Sequence, residues 1–207
     1  MNRPYAMPIV TIDGNVGTGK TTVMQWLHDH YRLPMDLEPV ESWEPYLKDI
    51  YENRKNVFMF QVRVWLDRCF PKPTGIAPCL LMERSPYFQQ NIFVNIAMNQ
   101  GTMSHNESMI LHDLYAKIYD TWSPSLYIYL RSNPVECLRR IDTRGRPSEE
   151  TIQYDYLLEL HRLHEQTYYE SVHKGMNAIC VNVEGKTPEQ IGREIVHILK
   201  MYGYVSP

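Results

Sequence analysis

Pro8-Ile9-Val10-Thr11-Ile12 is an apolar-leaning run that passes, after Asp13, into Gly14-Asn15-Val16-Gly17-Thr18-Gly19-Lys20-Thr21. The second stretch meets the four fixed positions of a phosphate cradle, at Gly14, Gly19, Lys20 and Thr21. Glycines let backbone N–H groups turn inward onto phosphate oxygens, the lysine reaches the β- and γ-phosphates, and the threonine hydroxyl suits Mg²⁺. Thr22 to Tyr31 then reads as a helix whose N-terminal dipole favours the same anion. A strand, this loop and a helix in that order point to nucleoside triphosphate binding, with Gly14 to Thr22 as the candidate ATP site.

Further strand-like runs occur at Cys79–Met82, Leu126–Leu130 and Ala178–Val183, with a weaker one near Leu33–Leu37. Helix-period stretches separate them: Phe58, Val62, Trp65, Leu66 and Cys69 in one, Ile110, Leu114, Ala116, Ile118 and Trp122 in another. Pro134 after Asn133 and Pro188 after Thr187 mark two further helix starts. The three prolines and Gly75 of Pro71–Pro78 predict a loop. Short buried strands alternating with helices predict an α/β fold with a five-stranded parallel sheet covered on both faces. Ligands of such sheets sit at the carboxyl ends of the strands.

The 207 residues are read as one domain, 1–207, with 43% hydrophobic and 22% charged residues, ordinary for a globular chain. A net charge of −3 makes no electrostatic case for nucleic acid or a membrane surface. No apolar run approaches the roughly 20 residues of a bilayer span, and Met1 to Pro8 has no signal-peptide core. Cys69, Cys79, Cys137 and Cys180 lack metal-ligand spacing, so a reducing, cytoplasmic setting is expected.

Four constellations follow the loop. Glu38-Pro39-Val40-Glu41-Ser42-Trp43 comes after the weak second strand, where Glu38 could take a proton from a hydroxyl; a surface Glu and a core Trp are the plainer alternatives. Glu83-Arg84-Ser85 ends the next strand and offers Glu83 as a Mg²⁺ carboxylate, with Arg84 facing a phosphate or Glu38; an exposed ion pair is the alternative. Gln61 shares a helix face with Val64 and Arg68, and its amide matches the edge of a base; a solvated helix face accounts for it equally well. Arg139, Arg140, Arg144 and Arg146 beside Gly145, with Glu149 following, suit a mobile lid over a triphosphate.

Taken in order, these pieces resemble the deoxynucleoside kinase family, from about Ile9 to Val183, and Leu157-x-x-Leu160-His161-x-x-His164-Glu165 is similar to that family's helix after the lid. The resemblance implies a P-loop kinase fold with an arginine-rich lid and transfer of the ATP γ-phosphate to a deoxynucleoside 5′-hydroxyl. It implies Glu38 as general base, Arg84 as its holder and Glu83 with Thr21 around Mg²⁺. Lys20, Arg140, Arg144 and Arg146 would neutralise charge, and Tyr51 and Glu149 would bind the sugar 3′-hydroxyl. Gln61 would read the base between Trp43 and Phe93, beside Phe60. Glu184, Gly185 and Lys186 fall where the family grips the donor base, although this segment departs from its usual Asp-containing loop. Arg68 with Gln89, beside Val64, gives a mixed specificity signature; the lean is to pyrimidine deoxynucleosides, thymidine included, with a deoxycytidine- and purine-preferring kinase as the alternative. A homodimer is implied, with Met98, Met103, Met109, Tyr115 and Tyr119 as surface or core. A thymidylate-type kinase and a silent nucleotide-binding module are the rivals; the first would need one more arginine and would meet repulsion from Glu38.

Overall fold

The computed structural model describes residues 7–69 and 77–206, with the backbone alone for 119–122. Its five strands are β1 (Ile9–Asp13), β2 (Met35–Asp36), β3 (Leu80–Glu83), β4 (Leu126–Arg131) and β5 (Ala178–Asn182). They form one parallel sheet in the order β2-β3-β1-β4-β5. The register sets Ile12 opposite both Glu83 and Ile128, so the ends of β1, β3 and β4 lie together. The weak second strand is shorter than expected: Met35 and Asp36 pair with Leu81 and Met82, and Leu33 is buried ahead of them.

Helices cover both faces, as the alternating pattern requires. Val10, Ile12, Leu81, Ile128, Leu130 and Val181 pack against α1 (Lys20–Tyr31) and α9 (Pro188–Met201). On the opposite face Tyr127 and Tyr129 pack with residues of α4 (Pro86–Phe88), α5 (Asn95–Asn99), α6 (His105–Trp122), α7 (Pro134–Arg144) and α8 (Tyr154–His173). The Asn133 side chain caps α7 by accepting from the Val135 amide, and Thr187 with Gln190 forms a capping box on α9. Both starts match the sequence reading.

Two segments were not legible beforehand. α2 (Val40–Asn53) carries Pro45 in its second turn and follows the candidate base, while α3 (Val57–Cys69) packs beside it. Between α4 and α5 the helix widens into a π-helical stretch, Gln89–Val94, the kind of irregularity that often marks functional positions. Met103 and Tyr115 are buried in the core, whereas Met109 is exposed and the Tyr119 side chain lies outside the described atoms. Of Pro71–Pro78 only residues 77 and 78 are described. Among the described residues no helix is long and apolar enough to cross a membrane.

Candidate active site

The loop between β1 and α1 is held by features only glycine allows. Gly17 adopts φ +83°, and a methyl group built on it would stand 2.5 Å from the Cys137 carbonyl oxygen of α7. A methyl on Gly14 would meet the Leu130 carbonyl oxygen at the same distance. Such close approach packs the loop backbone tightly against α7 and β4. Asn15 anchors the loop, donating its side-chain amide to the Leu157 carbonyl on α8 at 2.8 Å. Lys20 is buried, and its ammonium donates to the Gly14 and Asn15 carbonyls at 2.9 and 3.0 Å. Burial, then the neighbouring Arg84, lowers its pKa below the ordinary lysine value.

The carboxyl ends of β1 and β3 deliver the next groups. Arg84 has φ +54°, a strained backbone for a branched-charge side chain, and its guanidinium is fixed on three sides. Its Nε donates to Asp13 Oδ1 at 3.0 Å, Nη1 to Glu38 Oε1 at 2.9 Å and Nη2 to the Gly14 carbonyl at 3.1 Å. The Phe93 ring lies 4.5 Å from its Cζ. Burial works against the arginine charge, but Glu38 and then Asp13 outweigh it and raise its pKa further. For Asp13, burial is likewise outweighed by His164 and Arg84, which hold the carboxyl well below the usual range. Glu83 accepts from the Thr21 hydroxyl at 2.8 Å and from the Glu38 amide at 3.4 Å. Burial, reinforced by the Glu38 charge, raises the Glu83 pKa.

These groups open onto a cavity of about 570 Å³. Its loop end is lined by Val16, Gly17, Gly19, Lys20, Thr21 and Thr22, with Glu38, Glu83, Arg84, Arg144 and Arg146 beside them. Its far end is apolar, built by Trp43, Phe60, Val64 and Phe93 together with Leu47, Ile50, Ile96 and Ala97. The Trp43 and Phe60 rings meet edge to face, and Trp43 is fixed by donating Nε1–H to Asp67 at 2.8 Å. Gln61 and Gln89, both buried, share a short hydrogen bond from the Gln89 amide to the Gln61 carbonyl oxygen. Tyr51 packs against Tyr156, and burial raises the pKa of its phenol. Glu149 accepts from Arg144 at 2.5 Å and from Arg146 at 3.4 Å.

Several expected site residues lie elsewhere. Arg68 does not line the cavity: only 1% exposed, it is bonded to the carbonyls of Asp36, Leu37, Glu83 and Arg84 and to the Asp36 carboxylate at 2.9 Å. The backbone carbonyls at the ends of β2 and β3 claim its guanidinium. Arg140 sits over the loop but outside the cavity lining, joining Glu136 at 2.8 Å to the Thr18 carbonyl at 3.2 Å. Glu184 accepts from the Asn133 amide at 2.7 Å, Lys186 pairs with Glu194 at 2.6 Å, and Gly185 turns between them at φ +68°; none lines the cavity. Gly14, Asn15 and Thr18 are buried beneath the loop surface, where they brace it. Sequence reasoning passed over Asp13, whose signal was an acid closing a buried strand, and Tyr156, one turn before Leu160.

A cradle for phosphate, a carboxylate gripped by a guanidinium and a deep hollow with an amide pair define a site suited to phosphoryl transfer onto a small molecule with a flat, polar-edged ring. The profile of the family described as "Deoxynucleoside kinase" matches residues 10–198. A protein of Invertebrate iridescent virus 3 named "Putative kinase protein 029R" is 29% identical over 196 residues, covering 92% of this chain and 95% of that one. Deoxyguanosine kinase of Bacillus subtilis is 31% identical over 160 residues, 74% of each chain. A solved structure of deoxyadenosine kinase from M. mycoides superposes with a TM-score of 0.79 at 23% identity, over 94% of this chain and 99% of that one, which is a likeness of fold. The chain belongs to the deoxynucleoside kinase family. Its enzyme class is accordingly that of an ATP-dependent deoxynucleoside kinase.

Proposed function

We propose that the cavity binds a deoxynucleoside with its 5′-hydroxyl at Glu38 and its base between Trp43 and Phe93, and that the γ-phosphate of ATP passes to that hydroxyl in line. The observation carrying this reading is the 2.9 Å bond from Arg84 to Glu38 at the mouth of a cavity whose other end holds the Gln61–Gln89 pair. Glu38 accepts the hydroxyl proton as the new P–O bond forms and the bond from the γ-phosphorus to the β,γ-bridging oxygen breaks, leaving ADP, while Arg84 keeps the carboxylate aimed. Lys20, Arg144 and Arg146 meet the phosphate charge, with Arg140 holding the loop from outside. The Thr21 hydroxyl and Glu83 carboxylate, 2.8 Å apart at the loop, are hard oxygen donors that fit Mg²⁺, which when bound screens phosphate charge. Tyr51 and Glu149 take the sugar 3′-hydroxyl.

For the base, we favour deoxycytidine and purine deoxynucleosides over thymidine, in place of the lean suggested by the sequence. With Arg68 withdrawn, the base end presents an uncharged amide pair rather than a cation, and 570 Å³ leaves room for a two-ring base. Relatives named for these substrates support it, among them deoxycytidine kinase 2 of Gallus gallus at 26% identity over 195 residues. We also read the chain as a single domain and a homodimer, the latter supported by exposed Met59 and Leu66 on α3 and Met109 and Ile110 on α6. Steady-state kinetics with the four deoxynucleosides decide the preference, and thymidine with the highest kcat/KM would overturn it. Glu38→Gln is expected to lower kcat by about 10²–10⁴-fold; unchanged turnover would remove Glu38 as the base.

A further inference from the structure

His164 lies wholly buried on α8, its ring stacked on Tyr129 with centroids 5.9 Å apart. Its Nδ1 is 2.7 Å from the Leu160 carbonyl oxygen. A carbonyl only accepts, so Nδ1 carries a proton. Its Nε2 lies 3.5 Å from Asp13 Oδ1, the oxygen that also accepts from Arg84, and has no hydrogen-bond partner among the described residues. With one proton, on Nδ1, the ring would turn a bare lone pair toward a buried carboxylate that Arg84 helps keep ionised, which is a repulsion. A second proton on Nε2 converts it to a charge-assisted attraction.

We propose that His164, held as a buried imidazolium, is a positioning residue for the reaction: through Asp13 it sets Arg84, and through Arg84 it aims Glu38. The inference rests on Glu38 acting as the base. Asp13 is enclosed between two cations, Arg84 on one side and His164 on the other. Because His164 balances part of the Asp13 charge, the guanidinium can divide its donors among Asp13, Glu38 and the Gly14 carbonyl. Removing the imidazolium draws Arg84 toward Asp13 and loosens its hold on Glu38.

The other titratable groups around the pair agree with this assignment. Glu165, one residue on, is committed to the Tyr129 hydroxyl and to Arg131 at 2.8 and 2.6 Å, so Asp13 is the counter-ion. His161 has its pKa lowered by burial and adds no competing positive charge. Tyr127 lies beside Asp13 and keeps its proton, its pKa raised by burial and then by that carboxylate. Lys20, from α1, adds to the positive potential at Asp13.

Nitrogen-15 NMR of the histidine side chains in the intact chain, assigned with His164→Gln, tests the protonation directly. Protons on both ring nitrogens at neutral pH are expected, and loss of the Nε2 proton in Asp13→Asn. Kinetically, His164→Leu is expected to lower kcat by about tenfold with both KM values little changed, and His164→Gln, which retains a donor toward Asp13, to recover most of that loss. Asp13→Asn with His164→Leu should cost no more than the larger single change, since the two act in series. A singly protonated ring, or a His164→Leu enzyme with full kcat and only a lower Tm, overturns the proposal. If Glu38→Gln keeps full turnover, the relay loses its target and falls with the base. A singly protonated ring in an enzyme that does depend on Glu38 removes the relay alone.

Discussion

The Thr21 hydroxyl donates to the Glu83 carboxylate at 2.8 Å, tying the first turn of α1 to the last residue of β3. The phosphate loop and the strand beside it thereby present two hard oxygens at one point, with Glu83 also accepting from the Glu38 amide. Glu83→Gln keeps the shape and removes the charge. The Mg²⁺ concentration for half-maximal rate should rise by about 10–100-fold, read from a Mg²⁺ titration at fixed ATP. An unchanged titration would place the metal elsewhere.

Arg84→Lys keeps a positive charge but not a planar fork. One ammonium cannot reach Asp13, Glu38 and the Gly14 carbonyl in the directions the guanidinium serves. Turnover should fall by about 10²-fold, and stability should fall as well because Asp13 loses its closest partner. Rapid-quench kinetics and thermal melts separate the two effects.

Arg68→Met is predicted to be a stability change. The side chain is enclosed and supports the ends of β2 and β3, so its loss leaves buried carbonyls and the Asp36 carboxylate without their donor. A cost of about 3–5 kcal/mol is expected in urea unfolding. The ratios of kcat/KM among the four deoxynucleosides should stay at their wild-type values at a temperature where the variant is folded. A reordered preference would restore Arg68 to base recognition.

Asp13→Asn gives a pH signature. The Asp13 pKa is depressed below its ordinary value of 3.8 in the folded chain, so its ionised form contributes stability that is fully present above that value. The contribution is lost as pH falls through the depressed folded value. The gap in urea midpoint between wild type and Asp13→Asn should therefore be wide at neutral pH and narrow below about 3.8. A gap independent of pH would mean that the carboxylate charge is not what Arg84 and His164 stabilise.

Much of the fold was legible because its signals are local. The loop glycines, the short apolar runs and the caps at Asn133 and Thr187 each determine their own conformation from neighbouring residues, and each was found where expected apart from the shortened β2. What escaped depends on packing across the chain. The helix containing Pro45 forms because α3 and the segment at Pro147–Glu149 cover it, and the π-helical stretch from Gln89 has no turn residue to announce it. In the site, Glu38, Arg84, Gln61 and Gln89 converge as their motifs implied. Arg68 departs, although it shares a helix face with Gln61 and Val64, because its guanidinium meets four backbone carbonyls at the ends of β2 and β3. No pattern within α3 encodes where those carbonyls end. Asp13 and His164 are 151 residues apart in sequence, and only the meeting of β1 with α8 makes them partners.

Arg144 and Arg146, on either side of Gly145, both terminate on the one carboxylate of Glu149. Two cations thus depend on a single anchor. Whatever takes hold of that acid releases both at once, Arg144 at the last residue of α7 and Arg146 just past the turn that Gly145 makes at φ +64°. On the proposed assignment of Glu149 to the sugar hydroxyl, one contact there would set two positive charges free beside the loop that holds Lys20.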